Sequence, residues 1–182
     1  DDATRPNILW ITSEDNASHW LGCYGNVEAK TPRLDELASN SVLFTHAYSN
    51  AAVCAVARST ILHGTYATTL GTQHMRSRYA IPKTFRPHVS YLRERGYYCT
   101  NNSKTDYNRK GNDKEIWDEC GTNAHYKNRR AGQPFFAIFN FTLSHESALF
   151  PKSVAANRRR GVIPEQPRLD FGALQLPPHL PD

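Results

Sequence analysis

The run Phe135-Phe136-Ala137-Ile138-Phe139-Asn140-Phe141-Thr142-Leu143 constrains the fold most. It is short, apolar and rich in aromatic residues, so it reads as a buried strand. A buried strand needs a layer on each face, which helices packed on a parallel sheet provide. The run stops at the polar group Ser144-His145-Glu146. A second run, Asn7-Ile8-Leu9-Trp10-Ile11-Thr12, also reads as a buried strand and stops at Ser13-Glu14-Asp15-Asn16. Two strands thus end in side chains fit for chemistry.

Helical signals lie between them. Thr31 is placed to cap a helix opening at Pro32, on which Leu34, Leu37 and Ala38 share a face. A strand is expected near Val42 to Tyr48. Ala57 to His63 reads as a helix stopped by Gly64, with Cys54 in the loop before it, and Pro87 to Arg95 as another followed by Gly96 and a strand at Tyr97-Tyr98-Cys99-Thr100. Strands alternating with helices imply parallel pairing, and open sheets of this kind bind ligands outside the carboxyl ends of their strands. The polar and basic stretch 103–132 is expected to be a surface insertion. The Pro-rich stretch 151–182, with Pro151, Pro164, Pro167, Pro177, Pro178 and Pro181, is expected to be extended coil.

The formal net charge of +5 favours an anionic partner. Apart from Arg129-Arg130 and Arg158-Arg159-Arg160 the basic residues are dispersed, so no nucleic-acid partner is expected. No apolar run approaches the roughly 20 residues of a membrane span. The chain opens at Asp1 with neither a methionine nor a leader, which fits a signal peptide already removed or an artificial boundary. Cys23, Cys54, Cys99 and Cys120 are widely spaced and indicate neither a zinc framework nor a disulfide scaffold, and their pairing stays open.

Four motifs follow one another: the strand with its acidic pair; Gly22-Cys23-Tyr24-Gly25-Asn26; Thr31-Pro32-Arg33-Leu34-Asp35-Glu36-Leu37-Ala38; and Val53-Cys54-Ala55-Val56-Ala57-Arg58-Ser59 with Leu62-His63-Gly64. Their order and spacing resemble the N-terminal portion of the type I sulfatases of the alkaline-phosphatase superfamily. The resemblance implies an α/β fold with a mixed, mainly parallel sheet flanked by helices, incomplete at the C-terminus, with residues 1–182 forming the N-terminal part of a catalytic domain. It also implies a sulfuric ester hydrolase that removes sulfate from a sulfated carbohydrate in a secreted or periplasmic setting.

By the same resemblance, Cys54 is the residue that a maturation enzyme converts to formylglycine. The hydrated aldehyde has two hydroxyls, one to attack sulfur and one whose proton loss expels sulfate. Arg58, Lys104 and His145 match the family's catalytic cations and histidine, and Glu14, Asp15 and position 54 match part of its calcium site, whose remaining ligands are expected beyond residue 182. His74 and Arg76 are candidates for reading the sugar. The pattern departs at four places: Glu14 stands where the family has Asp, Val56 and Ser144 where it has proline, and Asp106 where many members have histidine. Two alternatives stay open. One is a phosphate or phosphonate ester hydrolase of the same superfamily; the other is a non-catalytic or incomplete chain that binds sulfated glycan.

Overall fold

A computed structural model describes residues 5–163. The chain divides into two compact units, one of Asp1–Glu14 and Tyr48–Thr142, the other of Asp15–Ala47 and Leu143–Asp182.

The first unit holds a four-stranded sheet in the order β1-β4-β2-β3, with β1 at Ile8–Ser13, β2 at Tyr98–Asn102, β3 at Glu119–Cys120 and β4 at Phe135–Phe141. Every pairing is parallel, with Trp10 opposite Ile138 and Thr100 opposite Ala137. The helices of this unit are α2 (Cys54–His63), α3 (Ala67–Leu70) and α4 (His88–Glu94). Leu62 of α2 and Val89 of α4 pack with Tyr97, Cys99, Tyr107, Ile116, Trp117, Phe136 and Ile138 into one core. Phe136 lies against Trp10, His88 and Trp117, with ring centroids 6.1, 5.4 and 6.0 Å away.

β4 is the expected buried strand, whereas β1 is only half covered. As the edge of the sheet it alternates, leaving Leu9 and Ile11 53% and 59% exposed while Ile8 and Trp10 pack on the core. The stretch 103–132 is no mere surface insertion. Its apolar residues Tyr107, Ile116 and Trp117 enter the core, and Glu119–Cys120 extends the sheet beyond β2.

In the second unit, α1 spans Pro32–Ser39 and α5 spans Pro151–Arg159. The expectation of extended coil from residue 151 therefore fails at its start: Pro151 takes the first helical turn, where its missing N–H costs nothing, and no further proline interrupts the helix. The later prolines lie outside the described residues.

Thr31 occupies the N-cap of α1 without capping it. Its hydroxyl accepts from the Gly22 amide and donates to Asp35, which itself accepts from the Cys23 amide at 2.7 Å. The two motifs around residues 22 and 35 are thus one hydrogen-bonded unit, and a Cβ on Gly22 would meet the Asp35 carboxylate at 2.7 Å. Leu34 and Leu37, on the expected shared face, are 45% and 62% exposed. No strand forms at Val42–Tyr48; the Phe44 carbonyl accepts instead from the Tyr24 hydroxyl, and Val42 and Tyr48 are exposed.

Candidate active site

The polar side chains gather at the carboxyl ends of β1, β2 and β4. β1 runs into Glu14, which is only 6% exposed, and whose amide donates to the Phe141 carbonyl at the end of β4. A buried carboxylate must be paired. Lys104 Nζ lies 2.6 Å from one Glu14 oxygen and Arg58 Nη1 lies 3.6 Å from the other.

Arg58 projects from the second turn of α2. Its Nε donates to the Thr105 carbonyl at 2.7 Å, Nη1 to Asn140 Oδ1 at 3.0 Å, and Nη2 to the Lys104 carbonyl. The guanidinium also lies over the Tyr107 ring, 5.4 Å from its centroid. Burial raises the Tyr107 pKa, so the ring stays a neutral phenol beneath the cation. The donors expected to clasp a sulfate are therefore turned largely inward: Arg58 positions Glu14, Asn140 and the 104–105 turn.

Asparagine side chains complete the network, and the sequence reading missed them. Asn140 accepts from Arg58 and from Thr12 Oγ1 at 3.1 Å, and donates to Asn101 Oδ1 at 2.8 Å and the Asn102 carbonyl at 3.1 Å. Asn101, fully buried, donates to the Lys104 carbonyl at 2.8 Å. The signal was present as two amides inside apolar strand runs, where only a satisfied network makes burial tolerable.

Cys54 opens α2 itself rather than preceding it, with Val53 as N-cap. Ala55 and Val56 beside it are buried, and Ser59 on the same helix donates to Thr72 at 3.0 Å. The Cys54 thiol is half-buried and points at Asp106 Oδ2, 3.9 Å away. The other Asp106 oxygen faces Arg76 at 3.4 Å. The residue at the family's histidine position is thus in contact with the candidate nucleophile, at a backbone φ of 55°. His74 enters by its backbone: its carbonyl accepts from Asn108 at 2.7 Å.

Asp15 and His145 belong to the second unit and meet there. Asp15 Oδ2 accepts from the Glu146 amide at 3.0 Å and lies 4.0 Å from His145 Nε2. His145 Nδ1 accepts from the Ser147 amide at 3.2 Å, so in the neutral ring the proton sits on Nε2, aimed toward Asp15.

Two chemical groups implied by the resemblance can be tested against these residues. A hydrated aldehyde at position 54 fits, because the side chain stands beside a carboxylate at the N-terminus of a ten-residue helix, the end that favours an anion. Calcium takes six to eight oxygen ligands. Glu14 and Asp15 are donors of the right type, but among the described residues no group of three or more His, Cys, Asp or Glu is placed to hold a metal. The described residues alone do not make a calcium site.

The sulfatase family profile matches residues 6–167. An ulvan-active sulfatase of Formosa agariphila is 41% identical over 158 residues, covering 80% of this chain and 26% of that protein. In structure, a protein solved in complex with its substrate D-glucosamine-2-N,6-O-disulfate superposes with a TM-score of 0.67 at 16% identity, covering 89% of this chain and 39% of its own. A 2-O GAG sulfatase gives 0.65 at 18%, covering 84% and 37%. These two likenesses carry the fold: an α/β sheet of the alkaline-phosphatase-like type. The chain spans about a quarter of the length of the ulvan-active relative.

Proposed function

The chain belongs to the sulfatase family, and we propose that it carries the nucleophile-bearing part of a sulfuric ester hydrolase acting on a sulfated carbohydrate. The observation that supports this best is the placement of Cys54 on the first turn of α2, its thiol against Asp106, in the same unit as the buried Glu14–Lys104–Arg58 cluster.

Oxidised by a maturation enzyme to formylglycine and hydrated, position 54 would supply one hydroxyl to attack sulfur and a second whose deprotonation expels sulfate. This chain's residues do the rest. Lys104 places an ammonium, three N–H donors of which one serves Glu14, where negative charge develops on sulfate oxygens. Arg58 holds Lys104 and Glu14 in place through the 104–105 turn. His145 is proposed as the general acid: as an imidazolium it gives one proton to the departing sugar oxygen and returns to the neutral ring, a task worth roughly 10²–10⁴ in rate. Glu14 and Asp15 are proposed as two oxygen ligands of a calcium shell. A secreted or periplasmic location belongs to the same proposal, checked by cell fractionation.

The first test is the mass of the peptide containing Cys54, from full-length protein made with a formylglycine-forming enzyme. A loss of about 18 Da, the thiol-to-aldehyde change the two-hydroxyl mechanism requires, supports the reading. A peptide left unaltered at Cys54 points instead to a chain that binds sulfated glycan without turnover.

A further inference from the structure

A cleft of about 520 Å³ opens in the first unit between the loops 76–78 and 105–113, walled by Arg76, Arg78, Asp106, Arg109, Lys110 and Asp113. Small-molecule sites typically run about 300–1,000 Å³. Among the described residues five non-glycine residues have positive φ, and four of them stand here: Arg76 at 61°, Arg78 at 46°, Asp106 at 55° and Asn108 at 53°. Such conformations are uncommon for arginine and persist where the surroundings hold them.

Asn108 enforces them. Only 6% exposed, it donates to the carbonyls of Thr72 at 2.8 Å and His74 at 2.7 Å and accepts from the Ser77 amide at 3.1 Å. The Lys110 amide closes the far end on the Tyr79 carbonyl at 2.9 Å. Two loops are thus fastened together while Arg76, Arg78 and Lys110 stay exposed.

The charges do not cancel. Asp106 engages Arg76 at 3.4 Å and Asp113 engages Arg109 at 3.0 Å. Among the described residues no carboxylate lies within ion-pair distance of Arg78 or Lys110. Asp106 also receives the Cys54 thiol, so one carboxylate joins the reactive position to the cleft.

The geometry points to this cleft as a subsite for a second anionic group of the substrate, a carboxylate or sulfate on the sugar joined to the one that loses its sulfate. The inference rests on the sulfatase reading and deepens it. Arg78 offers a planar guanidinium suited to either anion, and Lys110 a second charge.

The test uses full-length protein matured at position 54 and three sulfated disaccharides, whose second sugar is a uronate, a carboxyl-reduced uronate, or a sulfated neutral sugar. An anionic second sugar is expected to raise kcat/KM roughly tenfold to a hundredfold, the range of a charge-assisted contact, chiefly through KM. Arg78→Ala and Lys110→Ala are expected to erase that gain and leave the neutral substrate unchanged. A larger loss on the uronate than on the second sulfate identifies the carboxylate as the group bound, and the reverse identifies sulfate.

Calorimetric titration of a Cys54→Ala variant, with and without Arg78→Ala, reads the same preference without turnover. If no disaccharide loses sulfate, the functional reading fails while this titration still decides the subsite. Equal binding of all three disaccharides, or an equal effect of Arg78→Ala on all three, overturns it.

Discussion

Phe136 and Asn140 lie on the same face of β4, since side chains alternate along a strand, yet they do opposite work. Phe136 is 3% exposed and makes only packing contacts with Trp10, His88 and Trp117. Asn140 makes hydrogen bonds to Thr12, Arg58, Asn101 and Asn102. Toward the middle of the sheet the strand contributes stability by burying apolar area. At its carboxyl end it holds charges and amides that cost desolvation and are tolerable only as a complete network. The lesson is that core substitutions should change stability alone, and strand-end substitutions both stability and chemistry.

The largest effect is expected from Glu14→Ala, which leaves Arg58 and Lys104 without their buried carboxylate. Removing one partner of a buried pair costs about 3–5 kcal/mol, read as a shift of the denaturation midpoint, and sulfate release should fall with it. A midpoint unmoved would break the claim that the strand ends are an integral network. Leu62→Ala, in the core, should cost about 2–5 kcal/mol while leaving the rate per folded molecule unchanged. Asn140→Ala should cost about 1–3 kcal/mol, because Arg58 and Asn101 lose a partner, and should slow turnover as well.

The smallest effect is a pH dependence from the core side. His63 and His88 both have pKa values lowered from 6.5, chiefly by burial. The unfolded chain therefore takes up protons before the folded one does. Their contribution is fully present above pH 6.5 and is lost as the pH falls below it toward the folded values. Thermal melts should show the midpoint dropping across that window, with a flatter profile in His88→Gln.

Much of this comparison was legible in the residues. β1, β4 and the polar groups at their ends follow from runs of apolar residues that stop abruptly, whereas Cys54 and Lys104 are named by resemblance to the sulfatases. The core role of 103–132 was not legible, because Tyr107, Ile116 and Trp117 are scattered among charged residues and form a face only once the chain folds back beside β2. Val42–Tyr48 has strand composition without a partner in the sheet, and pairing is a property of neighbours rather than of composition. Asn101 and Asn140 become a scaffold for Arg58 and Lys104 only once their strands pair and bury them.

Position 54 is the group proposed to attack sulfur. Sulfate release from an aryl sulfate, measured for full-length matured protein and for Cys54→Ala at equal folded concentration, tests that most directly. Release by the matured protein and none above background in Cys54→Ala is the expected result. Equal release by the two, or none from protein shown by mass to carry the aldehyde, would contradict it.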